Sequence, residues 1–233
     1  RYPLYIFPGR YVSLLGQQAP IFLLASDPVA VGQFAFATAL LLMPLRLIGY
    51  SLSSVFQQKA VETYRTDPNA LGPLTRRFQE RLFFIGLLPF AVIAFFGDLG
   101  FGLVLGEGWR ISGIYAAWMS LYFMLRLLSE PIISLLNVLG REQDMLSIHG
   151  ALLVLRVLGL LVGLHFIGSV HVAVMLYVAI STIGYVGLLA HLYKLVSIAR
   201  WRTLGRMLLV FCIVSLACCA VRYLIIGDVF PLV

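Results

Sequence analysis

Charged residues are scarce in this chain of 233 residues, which excludes an ordinary soluble domain. Only 12% of the residues are charged, whereas about a quarter are charged in a typical globular domain. Hydrophobic residues make up 61% of the sequence, and the mean hydropathy is +0.97. This balance indicates an integral membrane protein.

The apolar runs do not alternate between apolar and polar residues, which excludes the strands of a membrane barrel. Runs such as FFIGLLPFAVIAFF are apolar throughout. A helix needs about 20 apolar residues to cross a membrane, and the sequence contains seven candidates. They cover residues 4–26, 30–57, 82–105, 111–138, 145–167, 170–194 and 207–226. The predicted fold is therefore all-α, a polytopic membrane helix bundle.

Motifs for catalysis and for metal binding are also missing. The histidines lie on or beside predicted helices, with no HExxH pattern, paired acidic motif or nucleophile elbow nearby, so we interpret them as packed or interfacial. The cysteines all fall in the last apolar run, without metal-ligand spacing to a histidine. These residues are His149, His165, His171, His191, Cys212, Cys218 and Cys219. We expect no catalytic residue, no metal site and no cofactor.

The basic residues predict the orientation of the helices, because loops that stay in the cytoplasm keep Lys and Arg. Alternating the seven helices places eleven basic residues on one side and only Arg110 on the other. The eleven are Arg1, Lys59, Arg65, Arg76, Arg77, Arg81, Arg141, Lys194, Arg200, Arg202 and Arg206. We therefore place that side in the cytoplasm and the carboxyl end outside.

The net charge of +7 does not indicate nucleic-acid binding. The basic residues are spread over several short loops, without a basic module interleaved with aromatic residues. Attraction to the anionic head groups of membrane lipids explains them instead. The linker 58–81 contains the turn signals Asp67-Pro68-Asn69 and Gly72-Pro73 between two polar helical pieces, so we interpret it as a surface connection between halves of the bundle.

Five arginines remain inside the predicted spans: Arg10, Arg46, Arg126, Arg156 and Arg222. A charge at the bilayer centre costs roughly 3 kcal/mol on insertion scales, so each of them needs head groups, a wet cavity or a partner. Arg222 lies close to the end of its run, and we expect its long side chain to reach the head groups. The Arg10 side chain can reach the head groups in the same way.

Arg126 has a candidate partner in Glu130, four residues later on the same helix face, so the two side chains can neutralise each other. The alternative is that this stripe lines a cavity. Tyr122 and Asn137 lie near it, and Pro131 would bend the helix and free backbone groups. Both interpretations stay open.

Arg156 shares a stripe with His149, Gly159 and Gly163, where the glycines allow close packing to a neighbouring helix. The sequence indicates no counter-ion for this arginine. Its position deep in a span nevertheless predicts a partner or a cavity.

Arg46 has no acid on its own helix, and it shares a face with Tyr50, Ser53 and Gln57. The preceding helix carries a similar stripe of Arg10, Ser13, Gln17 and Pro20, and we expect the two faces to meet. Guanidinium, hydroxyl and amide groups are suited to hold an anion and sugar hydroxyls in a partly hydrated cleft. The predicted cavity residues are Arg10, Gln17, Gln18, Arg46, Tyr50, Ser53, Gln57, Arg126 and Arg156.

Three stretches are distinctive in their order and spacing: LLGQQAPIFLLA, MPLRLIGYSLSSVFQQKAVETYR and FGLVLGEGWRISGIYAAWMSLYFMLRLLSEPIISLLNVLGREQ. Their most specific parts are a Gly-x-x-Trp that ends at Trp109, a Pro-x-x-Ser-x-Leu that begins at Pro131, and a Leu-Gly-Arg that ends at Arg141. Over residues 1–195 the chain resembles the carboxy-terminal half of bacterial polysaccharide flippases, which export lipid-linked O-antigen or exopolysaccharide units.

That family is similar to multidrug and toxin extrusion transporters, in which two six-helix lobes surround a central cavity. The resemblance implies that residues 1–198 form the carboxy-terminal lobe and that residues 199–233 add a transmembrane helix. It also implies that the first two helices face the cavity. The chain begins with Arg1, and we interpret it as a fragment that lacks the amino-terminal lobe of the same protein.

The resemblance implies a flippase for an undecaprenyl-diphosphate-linked oligosaccharide in the bacterial inner membrane. Its partners would be this substrate, membrane lipids and the amino-terminal lobe, and it would not be an enzyme. A second interpretation is a drug efflux transporter of the same architecture, although arginines within the spans favour anionic cargo. A third is a membrane polysaccharide polymerase or ligase, which would need a large external loop that the sequence does not contain.

Overall fold

The fold is all-α, as the sequence predicts. The computed structural model describes the backbone of residues 2–226 and the side chains of residues 7–49 and 52–224, and this part of the chain forms helices and no strands. The helices are α1 (Tyr2–Leu23), α2 (Pro28–Pro44), α3 (Ser51–Thr66), α4 (Leu71–Leu105), α5 (Arg110–Ile132), α6 (Leu135–Val138), α7 (Glu142–Leu161), α8 (Val170–Leu195) and α9 (Arg200–Ile226). Two wider π-helical segments join α2 to α3 and extend α7; they are Leu45–Tyr50 and Val162–Phe166.

Turn residues begin helices where the sequence indicates. The Asp27 side chain accepts a hydrogen bond from the amide of Ala30 at 3.1 Å, and Pro28 occupies the first turn of α2, where its missing N–H costs nothing. Asp67 caps the short turn before α4 in the same way, through the amide of Asn69 at 3.0 Å. The predicted turn at Asp67 is therefore confirmed, whereas Gly72 and Pro73 lie in the first turn of α4 and form no separate turn.

Six stretches of the described chain are long and apolar enough to cross a membrane, and the chain is a multi-pass membrane protein. They are Pro28–Thr66, Pro68–Leu105, Glu107–Val138, Glu142–Phe166, Val170–Leu195 and Arg200–Leu224. Large apolar side chains such as Leu103, Ile183 and Leu216 are exposed, as contact with lipid requires. The first predicted span is helical but is not among the six, since Arg10 and Gln17 are among the polar residues that lower its apolar character.

The helices on either side of Asp67 form a long hairpin. Pro28–Thr66 contains 39 residues, which reach about 58 Å at about 1.5 Å per residue, whereas the hydrocarbon core of a bilayer is about 30 Å thick. The tip of the hairpin therefore extends beyond the membrane. The linker 58–81 is helical over most of its length.

One face of residues 71–81 is buried, so the interpretation of the whole linker as a surface connection is wrong. The Gln79 side chain donates a hydrogen bond to the Leu128 carbonyl at 2.6 Å and accepts one from the Tyr193 hydroxyl at 3.1 Å. Thr75, one turn earlier, is also buried. A helix presents one side to its neighbours on every turn, and this part of α4 contacts α5 and α8 through that side.

The centre of the bundle is α5. Nearly all of its side chains are buried, and α2, α4 and α8 pack around it. The closest approach to α4 occurs where Gly97 faces Gly113, because a Cβ atom on either glycine would overlap the backbone of the other helix. The remaining long helices lie farther out, with α1 packed along α7 and α9 packed along α4.

The glycines that share a stripe with Arg156 allow close helix packing, as predicted. A Cβ atom on Gly163 would overlap the backbone of Ala173 in α8, and one on Gly159 would overlap the end of the Ile180 side chain. Small residues let helix backbones approach each other in a membrane. The stripe therefore joins α7 to α8.

A cysteine at position 69 tests the predicted topology. Asn69 is exposed in a linker with five basic and three acidic residues, so Asn69→Cys in a protein without other cysteines should react with an impermeant maleimide only after cells are permeabilised. Gly108→Cys, in an exposed connection on the predicted outer side, is the matched control and should react in intact cells. Reaction of Asn69→Cys in intact cells would reverse the topology.

Candidate functional site

Arg126 is the centre of a polar group inside the bundle. It is 3% exposed, and its Nε donates a hydrogen bond to Oε1 of Glu130 at 3.3 Å while its Nη2 donates to Oε1 of Gln17 at 2.7 Å. Gln17 in turn donates to the Ser13 hydroxyl at 3.2 Å. The predicted pair of Arg126 and Glu130 is confirmed, and an amide from α1 joins it.

Aromatic rings enclose Arg156. The centroids of the Tyr122, Tyr177 and Tyr185 rings lie 5.6, 5.3 and 5.9 Å from its Cζ. Its Nε donates a hydrogen bond to the Ser181 hydroxyl at 2.9 Å. Tyr177, Ser181 and Tyr185 follow one another at four-residue intervals, so one face of α8 supplies three of these contacts. Ring faces attract a cation, and they offset part of the cost of burying its charge.

Two adjacent residues of α1 cover both arginines. Gln17 binds Arg126, and a Cβ atom built on Gly16 would lie 3.3 Å from Nη1 of Arg156. Tyr122 also links the two, because it lies one turn before Arg126 on α5. We name this group the inner polar cluster, consisting of Gln17, Tyr122, Arg126, Glu130, Arg156, Tyr177, Ser181 and Tyr185.

The Arg46 side chain is exposed on the surface of the described bundle, and the residue lies in the π-helical segment Leu45–Tyr50. Pro44 immediately precedes this segment. Proline has no N–H to donate and its ring crowds the preceding turn, which accounts for a departure from regular α-helix at this point. Single π-helical turns are frequent at functional sites.

Exposed polar side chains also occur along α3, two or more turns after Arg46. An open hollow of about 600 Å³ is lined mainly by polar residues of α3; they are Ser54, Gln57, Gln58, Glu62, Arg65 and Thr66, together with the apolar Val61. Along the helix axis, Arg46 lies about 27 Å after Pro28 and about 16 Å before Gln57, well inside the apolar part of the span. We name Arg46, Ser54, Gln57, Gln58, Glu62 and Arg65 the exposed polar face.

The structure divides the predicted cavity residues into separate groups. Three belong to the inner polar cluster: Gln17, Arg126 and Arg156. Four are exposed: Arg10, Gln18, Arg46 and Gln57. Ser53 is half-buried and donates a hydrogen bond to the Gly49 carbonyl at 2.6 Å. The side chain of Tyr50 lies outside the described residues.

The expectation that the polar stripes of α1 and α2 meet is wrong. Helix α1 packs along α7 and has little contact with α2. Gln17 points at Arg126 instead of the face that carries Arg46. The reason is that a buried guanidinium on α5 offers the Gln17 oxygen a charge-assisted hydrogen bond, which is stronger than one between neutral groups.

A second buried ion pair joins α4 to α9. Arg222 donates from Nη1 to Oδ1 of Asp98 at 2.6 Å and from Nη2 to Oδ2 at 2.9 Å, and it also contacts the Phe95 carbonyl. The Arg222 side chain is 2% exposed and that of Asp98 is 1% exposed. The expectation that Arg222 reaches the head groups is therefore wrong. Sequence reasoning missed Asp98, although a lone acid in an apolar run was a usable signal.

Three of the four histidines are packed or interfacial, as predicted, whereas His165 is exposed. His149 is buried. Nδ1 of His171 lies 2.9 Å from the Tyr115 hydroxyl, and Nε2 of His191 lies 2.9 Å from Oδ2 of Asp144. Within the described part of the chain, no three His, Cys, Asp or Glu side chains come together as metal ligands would.

No protein-family model, curated protein or solved structure matches this chain. The resemblance to polysaccharide flippases rests on the sequence motifs and stays a prediction.

Replacing Glu130 tests whether its pair with Arg126 supports the fold. Glu130→Gln should lower the free energy of unfolding by about 2–3 kcal/mol, less than for a fully buried pair because the Glu130 side chain is 23% exposed. The double variant with Arg126→Met should lose less than Glu130→Gln alone, since no unpaired charge remains. The measurement is unfolding of the purified protein in detergent.

The exposed pair of Arg76 and Glu80 is the matched control, because it has the same four-residue spacing and an N–O distance of 3.0 Å. Glu80→Gln should change the free energy of unfolding by only about 0.5 kcal/mol. Additive losses for the double variant at Arg126 and Glu130 would remove the claim that the two act as a pair.

Proposed function

We propose that this chain is the carboxy-terminal lobe of a flippase that moves an undecaprenyl-diphosphate-linked oligosaccharide across the bacterial inner membrane. The transported unit serves polysaccharide or lipopolysaccharide biosynthesis. The observation that carries the proposal is the exposed polar face, and above all Arg46. Because a charge within an apolar span needs water or a partner, this face should border a hydrated cavity or the amino-terminal lobe.

The chemistry of the exposed polar face fits the head group of such a substrate. A guanidinium binds phosphate oxygens through two parallel hydrogen bonds, so Arg46 suits a diphosphate. The amides of Gln57 and Gln58 and the hydroxyl of Ser54 both donate and accept hydrogen bonds, which sugar hydroxyls require. The lipid tail stays in the bilayer while the head group crosses, and no covalent step is needed.

The inner polar cluster has a different part in this proposal. Arg126 and Arg156 are 3% and 1% exposed, so they do not present their charges to a substrate in this conformation. They join α1, α5, α7 and α8 through buried contacts. We assign them to the scaffold that holds the lobe together.

A drug efflux transporter of the same architecture fits less well. Cationic cargo needs carboxylates in the membrane, and the acid of the exposed polar face, Glu62, lies about 24 Å from Arg46 along the helix axis. A polymerase or ligase also fits less well. The connections on the predicted outer side of the described chain contain three or four residues, which is too few for a catalytic domain.

Reconstitution of the full-length protein tests the function. Vesicles are loaded with a fluorescent undecaprenyl-diphosphate oligosaccharide, and its movement between leaflets is followed with an impermeant quencher. We expect protein-dependent movement of this lipid and no transport of ethidium, a cationic dye. Ethidium transport without lipid movement would favour the drug transporter, and lengthening of the glycan would favour the polymerase.

A further inference from the structure

Arg156 differs from the other buried arginines in its electrostatic partners. Arg126 pairs with Glu130, and Arg222 pairs with Asp98. Among the residues that the structure describes, no ion pair includes Arg156, and its Nη2 is buried without a hydrogen-bond partner. Buried charges in proteins are normally paired. The inner polar cluster therefore carries one positive charge more than its carboxylate balances.

The tyrosines around Arg156 do not balance this charge. Three ring faces attract the guanidinium, but neutral phenols leave the net charge of the cluster unchanged. The Nε of Arg156 already donates to Ser181. Nη2 is thus the atom at which this guanidinium can bind a further acceptor.

We propose that the inner polar cluster binds one monovalent, weakly hydrated anion, such as chloride, at Nη2 of Arg156. A single negative charge matches the excess. The side chain is 1% exposed and three tyrosine rings surround its guanidinium, so a small ion suits the site better than phosphate or sulfate. Those larger anions are also more costly to remove from water.

The anion would stabilise the contact of α1 with the bundle. Gly16 and Gln17 lie over Arg156 and Arg126, so repulsion between these two guanidiniums, of which only Arg126 is paired with a carboxylate, destabilises the region that α1 covers. A bound anion removes that repulsion. A metal cation is not expected here, because both guanidiniums repel it. This inference does not depend on the proposed transport function.

Anion exchange in the purified full-length protein tests the site. The protein is moved into sodium gluconate, which is then replaced by chloride or bromide at constant ionic strength, so that general screening does not change. The thermal unfolding midpoint should rise and saturate with chloride and with bromide, because a ligand that binds the folded state stabilises it. An unchanged midpoint, or an equal rise with sulfate, would overturn the proposal.

Two variants locate the effect. Arg156→Gln should abolish the chloride-dependent rise, whereas Arg77→Gln, which removes one exposed positive charge, should keep it. A rise that survives in Arg156→Gln contradicts the proposal. If Arg156→Gln does not fold, crystals of the unmodified protein soaked in bromide decide the question. An anomalous peak within hydrogen-bond distance of Nη2 supports the site, and no peak there overturns it.

Discussion

Asp98→Ala is expected to lower the free energy of unfolding by about 3–5 kcal/mol, because it leaves the guanidinium of Arg222 buried without its carboxylate. The two oxygens of Asp98 accept hydrogen bonds from Nη1 and Nη2 of Arg222 at 2.6 and 2.9 Å, and both side chains are almost completely buried. Arg222→Met should cost a similar amount. Titration of the purified protein with sodium dodecyl sulfate, followed by helix content, measures the loss.

Replacing both residues distinguishes the interaction between Asp98 and Arg222 from the effects of the two single substitutions. The double variant Asp98→Ala with Arg222→Met should be more stable than either single variant, since no unpaired charge remains in the bundle. Arg110→Gln is the control. Arg110 lies 3.8 Å from Asp98 but is 48% exposed, so its loss should cost at most about 1 kcal/mol. Additive losses in the double variant, or a large loss in Arg110→Gln, would contradict this account.

This pair also bears on the role of α9. The sequence presents residues 199–233 as a helix added after the lobe, and α9 does pack at the edge of the bundle, against α4 and α8. Its Arg222 nevertheless balances the buried charge of Asp98 in α4. Without Arg222, that carboxylate would keep only the more distant and more exposed Arg110, at 3.8 Å. Helices α9 and α4 are therefore coupled in stability.

The helices could be predicted from the sequence, but the pairing of their faces could not. Apolar runs and turn residues such as Asp67 are local signals, and they correctly predict where helices lie. Apolar residues occur on every side of α8 and α9, so the apolar pattern does not indicate which side packs against protein and which faces lipid. The contact of α1 with α7 instead of α2 also depends on tertiary packing that no local sequence pattern indicates.

The polar contacts also divide into those that the sequence predicts and those that it does not. The pair of Arg126 and Glu130 was predictable because both residues lie on one helix, one turn apart. The partners of Arg156 lie on α5 and α8, and the partner of Arg222 lies on α4, so no local spacing connects them. A usable signal was present in α8, where Tyr177, Ser181 and Tyr185 form a polar stripe at four-residue intervals in an otherwise apolar helix.

Arg46→Ala in the full-length protein is expected to reach the membrane at normal abundance and to lose surface polysaccharide. The Arg46 side chain is exposed on the surface of the described bundle, so its truncation leaves no internal cavity. If it binds the diphosphate, the loss of a charge-assisted hydrogen bond of about 1.5–3 kcal/mol weakens binding about 10- to 150-fold. Arg46→Lys should keep part of the function, because it retains the charge but not the two parallel donors.

Quantifying membrane protein and surface glycan in the same cells separates a substrate contact from a structural one. Arg77→Ala is the matched control, since it removes the same charge from an exposed position on the hairpin, and it should leave both quantities unchanged. If abundance and glycan fall together in Arg46→Ala, the arginine supports the structure, as a pair with an acid of the proposed amino-terminal lobe would. Full glycan display by a normally abundant Arg46→Ala protein would exclude the substrate role.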